Sequence, residues 1–273
     1  MRYFILLGAI LAATSPLAAS PFSHDLFDQV LQSRVDSLGC VDYAGLRENR
    51  TSLDAYIDSL ARYNPQSYAE RFPSRDHELA YWINAYNAFV LRGVIDAYPV
   101  DSVQDIMYLS GFFNRLEFVA GGQVMTLDHI ENEIIRPHYK DPRIHFVVNC
   151  GAVSCPALEN RAFDGAALDE RLSAARQRFI EDPKHFYLDR QNETLELSKI
   201  LDWYGEDFIR FFPSTATNIP ASPQLIDYFI LYLDEDRVDF LRRHADIPII
   251  FKDYDWQLNR QHRHKKEGIV PRK

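Results

Sequence analysis

The chain has 273 residues, of which 47% are hydrophobic, 25% charged and 13% aromatic. That is enough apolar surface for a sizeable packed core, and it excludes a disordered chain. The formal net charge is −9, and so acidic a body argues against a nucleic-acid partner.

In chain order, "MRYFILLGAILAATSPLAAS" comes first. It has an early Arg2, an apolar run and then small residues, the three-part pattern of a secretory signal peptide. The run is shorter than the roughly 20 residues needed to span a bilayer. Residues 1–19 are therefore expected to be a signal peptide, with the mature protein periplasmic or secreted and without a transmembrane segment. "FSHDLFDQVLQSRVD" carries apolar residues at helical spacing, and "TSLDAYIDSLARYNP" does the same between Thr51 and Pro65. "HELAYWINAYNAFVLRGVIDAYP" is apolar nearly all round, which predicts a long buried helix over about 77–98 with Asn84 and Asn87 buried in it. "RLEFVAGG" predicts a strand and hairpin turn, "TLDHIENEIIRPHY" a short helix from Thr126, and "RIHFVVN" a strand. A helix near "GAALDERLSAARQRFIEDP", a hairpin at "HFYLDRQNETLELS" and further helices to about residue 243 follow. "IPIIFKDYDWQLN" reads as a final strand pair or extended segment. The expected fold class is α+β: a helix-rich single domain over 21–259 with a small, mainly antiparallel sheet. The tail 260–273 carries six Lys/Arg against one Glu. It reads as a solvated, flexible basic end, with weak contact to an envelope surface as a second reading.

The chemistry concentrates in "HFVVNCGAVSCP", residues 145–156. With three cysteines in all, Cys150 and Cys155 could form a disulfide or remain thiols. The single C-x4-C without a second ligand pair argues against zinc, so no metal and no cofactor are expected. Pro156 suits a first helical position and Cys155 the cap before it, where a helix N-terminus would favour thiolate. Strand alternation would put His145 and Asn149 on one face. His145, or else His129 or His77, could then serve as base, with Glu78, Asn84, Asn87 or Asn149 orienting it or the substrate. Each has a plainer reading too: a satisfied core histidine, or asparagines tying down loop backbone.

"LAYWINAYNAFVLRGV", "IENEIIRP", "DPRIHFVVNCGAVSCPAL", "LSKILDWYGEDF" and "YDWQLN" together resemble the domain-of-unknown-function family 547. The resemblance implies that Trp82, Asn84, Asn87, Cys150 and Pro156 occupy signature positions. It implies no established reaction. It also implies that Ser can stand at the position of Cys155 in plant members, so an obligatory 150–155 disulfide would not define the family. Cys40 is no part of the resemblance.

These readings lead to an exported protein expected to be a cysteine-dependent hydrolase or acyl transferase acting on amide or peptide-like bonds in the cell envelope. Cys150 or Cys155 would be the thiol and His145 the base, with a small molecule or peptide as partner. The alternative is a non-catalytic envelope binding domain with a Cys150–Cys155 disulfide. A thiol–disulfide redox protein stands third, because C-x-x-C is absent.

Overall fold

The structure, a computed structural model, describes residues 20–108, 110–213, 216 and 219–261. The signal peptide expected at 1–19 lies outside the described residues, as does all of the basic tail beyond Gln261. Among the described residues no helix is long and apolar enough to cross a membrane.

The fold is helix-rich α+β. Helices α1 (Asp25–Arg34), α2 (Tyr43–Glu48) and α3 (Thr51–Arg62) lead to the long α4 (Arg75–Ala97). The Ser74 side chain caps α4 by accepting the His77 N–H, and Asp76 and Glu78 lie in its positive first turn. It stops where Tyr98 turns extended before Pro99. Its residues from Leu79 to Leu91 are all buried, as an all-round apolar helix must be. Tyr81, Trp82 and Phe89 are essentially inaccessible, and each contributes about 1.5–3 kcal/mol of burial energy. The helices α2 and α3 pack on it, as do α7 (Leu168–Glu181) and the turn before α7.

Between α4 and α7 come a short α5 (Gly111–Asn114) and the hairpin β1 (Phe118–Ala120) with β2 (Gln123–Met125), turning at Gly121-Gly122. A helix follows whose middle, His129–Ile135, is π-helical before it tightens into α6 (Arg136–Tyr139). After α7, β3 (Phe186–Asp189) pairs antiparallel with β4 (Thr194–Leu197). The chain then runs through α8 (Lys199–Trp203), α9 (Gly205–Arg210), α10 (Leu225–Ile230) and α11 (Glu235–Arg243) to β5 (Ile249–Phe251). The strand β5 joins β4 in parallel, an addition to the expected antiparallel pairing that the long helical crossover permits.

Two local expectations are corrected. "RIHFVVN" is not a strand: Pro142–Phe146 is a 3-10 helix that runs into an irregular segment. His145 and Asn149 are both buried, but no strand face joins them. Nor does a helix begin at Pro156, for residues 156–164 are irregular. A helix N-terminus therefore does not act on Cys155.

Candidate functional site

The segment from Val147 to Pro156 is held by side chains in place of a sheet. Asn87 donates to the Val147 carbonyl at 3.0 Å and accepts the Asn149 N–H at 2.9 Å. Asn149 donates to the Pro156 carbonyl at 2.7 Å and accepts the Gly151 N–H at 2.8 Å. Gly151 sits at φ +85°, and a Cβ there would come within 3.1 Å of Val103, so a glycine is required. Lys184 ties down the carbonyls of Val153 and Cys155. The outer edge is stitched to the late segment: Val153 N–H donates to Gln257 O at 2.8 Å, and Asn259 N–H to Gly151 O at 3.0 Å.

That stitching brings Tyr254 over the two sulfurs. Cys150 and Cys155 are free thiols whose Sγ atoms face each other at 2.6 Å. The Tyr254 hydroxyl lies 3.2 Å from Cys150 Sγ and 3.1 Å from Cys155 Sγ. The Cys150 N–H donates to Cys155 Sγ at 3.0 Å. Burial raises the Cys155 pKa, but hydrogen bonds from the Cys150 thiol, the Tyr254 hydroxyl and nearby backbone outweigh it and bring the thiol down to about 7. The Cys150 thiol is pushed up by burial and by its neighbour. Burial and the two thiols also push Tyr254 far up, so its hydroxyl stays protonated and donates.

The thiols form one wall of an open cleft of about 220 Å³. Trp203, Tyr254 and Trp256 form a second wall, with Tyr254 4.8 Å from Trp203 and 4.5 Å from Trp256 between ring centres. Glu131, Asn132 and Asp128 form a third. Glu131 and Asn132 stand on the π-helical stretch, an arrangement frequent at functional sites because it re-aims side chains. Glu131 is 7% exposed, with the Tyr204 hydroxyl as a polar neighbour.

His145 also lines the cleft. Its Nε2 lies 2.8 Å from Asp207 Oδ2, and its ring stacks on Tyr204 at 4.1 Å. Arg136 grips the same carboxylate through both oxygens, at 2.6 and 3.0 Å. Burial alone would raise the Asp207 carboxyl. The His145 and Arg136 bonds outweigh that and hold it well below the usual carboxylate range. His145 makes no hydrogen bond to either sulfur; its described polar partner is Asp207.

The other predicted site residues fall elsewhere. Asn84 binds the Phe163 backbone through both ends of its amide, at 2.8 and 2.9 Å. Asn84, Asn87 and Asn149 thus act on backbone and do not line the cleft. Glu78 accepts the Tyr139 hydroxyl at 3.4 Å, and His77 bonds Ser74; neither faces the thiols. His129 is exposed.

Glu131, Tyr204, Asp207, Tyr254 and the two tryptophans were not singled out from the sequence. A carboxylate among Ile130, Ile134 and Ile135 was the available signal for Glu131. Among the described residues no group of three or more His, Cys, Asp or Glu is placed to hold a metal ion.

Residues 70–180 match a family model described as "Protein of unknown function, DUF547". The matched stretch contains Glu131, His145, Cys150 and Cys155, while Tyr204, Asp207, Tyr254 and Trp256 lie beyond it. No curated protein and no solved structure matches the chain.

Proposed function

For a chain whose residues 70–180 match the family model described as a protein of unknown function, DUF547, we propose thiol–disulfide exchange at Cys150 and Cys155. The observation that carries this reading is the contact of the two sulfurs on the cleft wall under one shared tyrosine hydroxyl, with no imidazole bonded to either. The reading concerns chains that hold both thiols.

The chemistry balances without a cofactor. The Cys155 thiolate attacks one sulfur of a small disulfide. That S–S bond breaks, a mixed disulfide forms, and the departing thiolate takes the proton of Cys150. The Cys150 thiolate then attacks Cys155 Sγ, giving the 150–155 disulfide and releasing the second substrate thiolate. Two electrons pass from the protein dithiol to the substrate. A second thiol compound restores the dithiol by the same steps in reverse. Nucleophilicity at neutral pH follows from a thiol whose pKa lies near ambient pH, as that of Cys155 does at about 7.

The test uses the reduced full chain with one equivalent of a small disulfide and intact-mass readout. The expected product is the protein minus two hydrogens. Cys150→Ser should instead retain the mixed disulfide on Cys155. If that variant gathers no adduct, exchange at this pair is refuted.

A second reading, cysteine-dependent acyl transfer or amide hydrolysis, is favoured by one observation: His145, anchored by Asp207, lines the same cleft. It requires the imidazole to turn toward a sulfur when substrate enters. An acyl adduct formed from an activated ester in wild type, and lost in His145→Ala, would favour it over exchange. An envelope location remains part of the proposal, to be checked by fractionating cells that express the full chain.

A further inference from the structure

The cleft's third wall carries information about what enters. Glu131 is a carboxylate more than nine-tenths buried, and among the described residues it has no salt-bridge partner. The Arg136 charge is felt at Glu131, but its hydrogen bonds go to both oxygens of Asp207 and to Asn132 at 2.6 Å. The Tyr204 hydroxyl lies near Glu131, and a neutral hydroxyl does not offset the burial of a full charge. Asp128 adds a second carboxylate at the rim, exposed and bonded only to Asn132. Among the described residues no Lys or Arg lines the cleft. The same cleft is lined by the clustered aromatics Trp203, Tyr254 and Trp256, and aromatic rings attract a cation. A volume of about 220 Å³ admits a small molecule and excludes a folded segment.

We infer that the cleft binds a small ammonium-bearing molecule between Glu131 and the aromatic wall; resting on the exchange reading above, the substrate class is a disulfide of an aminothiol. The cationic end would sit against Glu131 and Asp128 while the sulfur–sulfur bond reaches Cys155. The same carboxylates disfavour disulfides that carry carboxylate groups.

Three disulfides of similar size test this: cystamine, the neutral hydroxyethyl disulfide and the anionic dithiodipropionate. Each rate is divided by the rate of the same disulfide with a free thiol, which removes intrinsic reactivity. The corrected rate for cystamine should exceed that for dithiodipropionate by about tenfold or more at low salt. Glu131→Gln should shrink the ratio, and Asp128→Asn, at the exposed rim, should shrink it less. Equal corrected rates overturn the ammonium inference and leave exchange standing.

If no disulfide reacts, exchange falls and binding alone decides. Hexanediamine, with hexanediol as neutral control, is then titrated against the fluorescence of Trp203 and Trp256. Diamine binding that beats the diol and weakens in Glu131→Gln sustains the inference. Equal binding, or binding indifferent to Glu131→Gln, overturns it.

Discussion

Replacing Tyr254 with phenylalanine removes one oxygen and keeps the ring against Trp203 and Trp256. The lost hydroxyl is 3.1 Å from Cys155 Sγ and donates to it. A hydrogen bond to a charged group contributes about 1.5–3 kcal/mol. One pKa unit corresponds to about 1.4 kcal/mol, so the Cys155 titration should climb by about 1–2 units. The starting point is about 7. Tyr254 is only half-buried, which favours the lower end of that range. The measurement is the pH dependence of iodoacetamide alkylation of the reduced full chain, with ultraviolet thiolate absorbance as a second readout. The two thiols titrate as a pair, so the lower apparent pKa of the pair is the quantity to follow. A variant with native circular dichroism and an unmoved midpoint would refute the reasoning, for the hydroxyl would then contribute nothing to the thiolate.

Other consequences are open to direct measurement. Asn87→Ala breaks two buried bonds to the thiol segment and should lower stability by about 2–4 kcal/mol in urea denaturation; a loss within error would show that the amide does not hold that segment. Gly151→Ala forces an L-residue to φ +85° and should cost about 1–2 kcal/mol in thermal denaturation while slowing Cys155 alkylation. His185 is buried and stacked on Phe179 at 4.3 Å; its ring nitrogens have no hydrogen-bond partner among the described residues, and the Asp182 carboxylate stands 4.0 Å from Nε2. Burial, then the charges of Lys184 and Lys252, lower its pKa to about 3. Below about pH 6.5 the unfolded chain takes a proton that the native chain refuses until pH nears 3, so stability falls across that window by about 1.4 kcal/mol per pH unit. His185→Phe should flatten the acid limb of the stability curve by about one proton; equal slopes would show that the native ring does accept the proton.

The helices were legible because burial leaves a period. Leu53 and Leu60 on α3, and the unbroken apolar run of α4, could satisfy only one backbone geometry. The first hairpin was legible because Gly121 and Gly122 supply the positive φ its turn needs. The thiol segment was misread for a definite reason. Its β-branched, apolar "IHFVV" fits a buried strand, but what pairs with its backbone is the Asn87 amide, which takes Val147 O and Asn149 N–H as a neighbouring strand would. Likewise Pro156 did not start a helix, because its carbonyl is taken by Asn149. The thiols and His145 could be named from the sequence. Tyr254, 99 residues after Cys155, could not be placed beside it, since only the long-range stitching of 254–259 brings it there.

That stitching also makes the thiol pair depend on both ends of the described chain. Val41 N–H donates to Asn259 O, the Tyr43 hydroxyl to Asn259 Oδ1, and Gln261 N–H back to Val41 O. An early segment and a very late one thus close together over the thiols. A chain lacking residues 254–261 has neither Tyr254 nor the edge that fixes Gly151. Without those residues the two cysteines lack the Tyr254 hydroxyl. The thiol pair under Tyr254 comes into being only when 254–261 close over it, so a chain cut before Tyr254 never carries it.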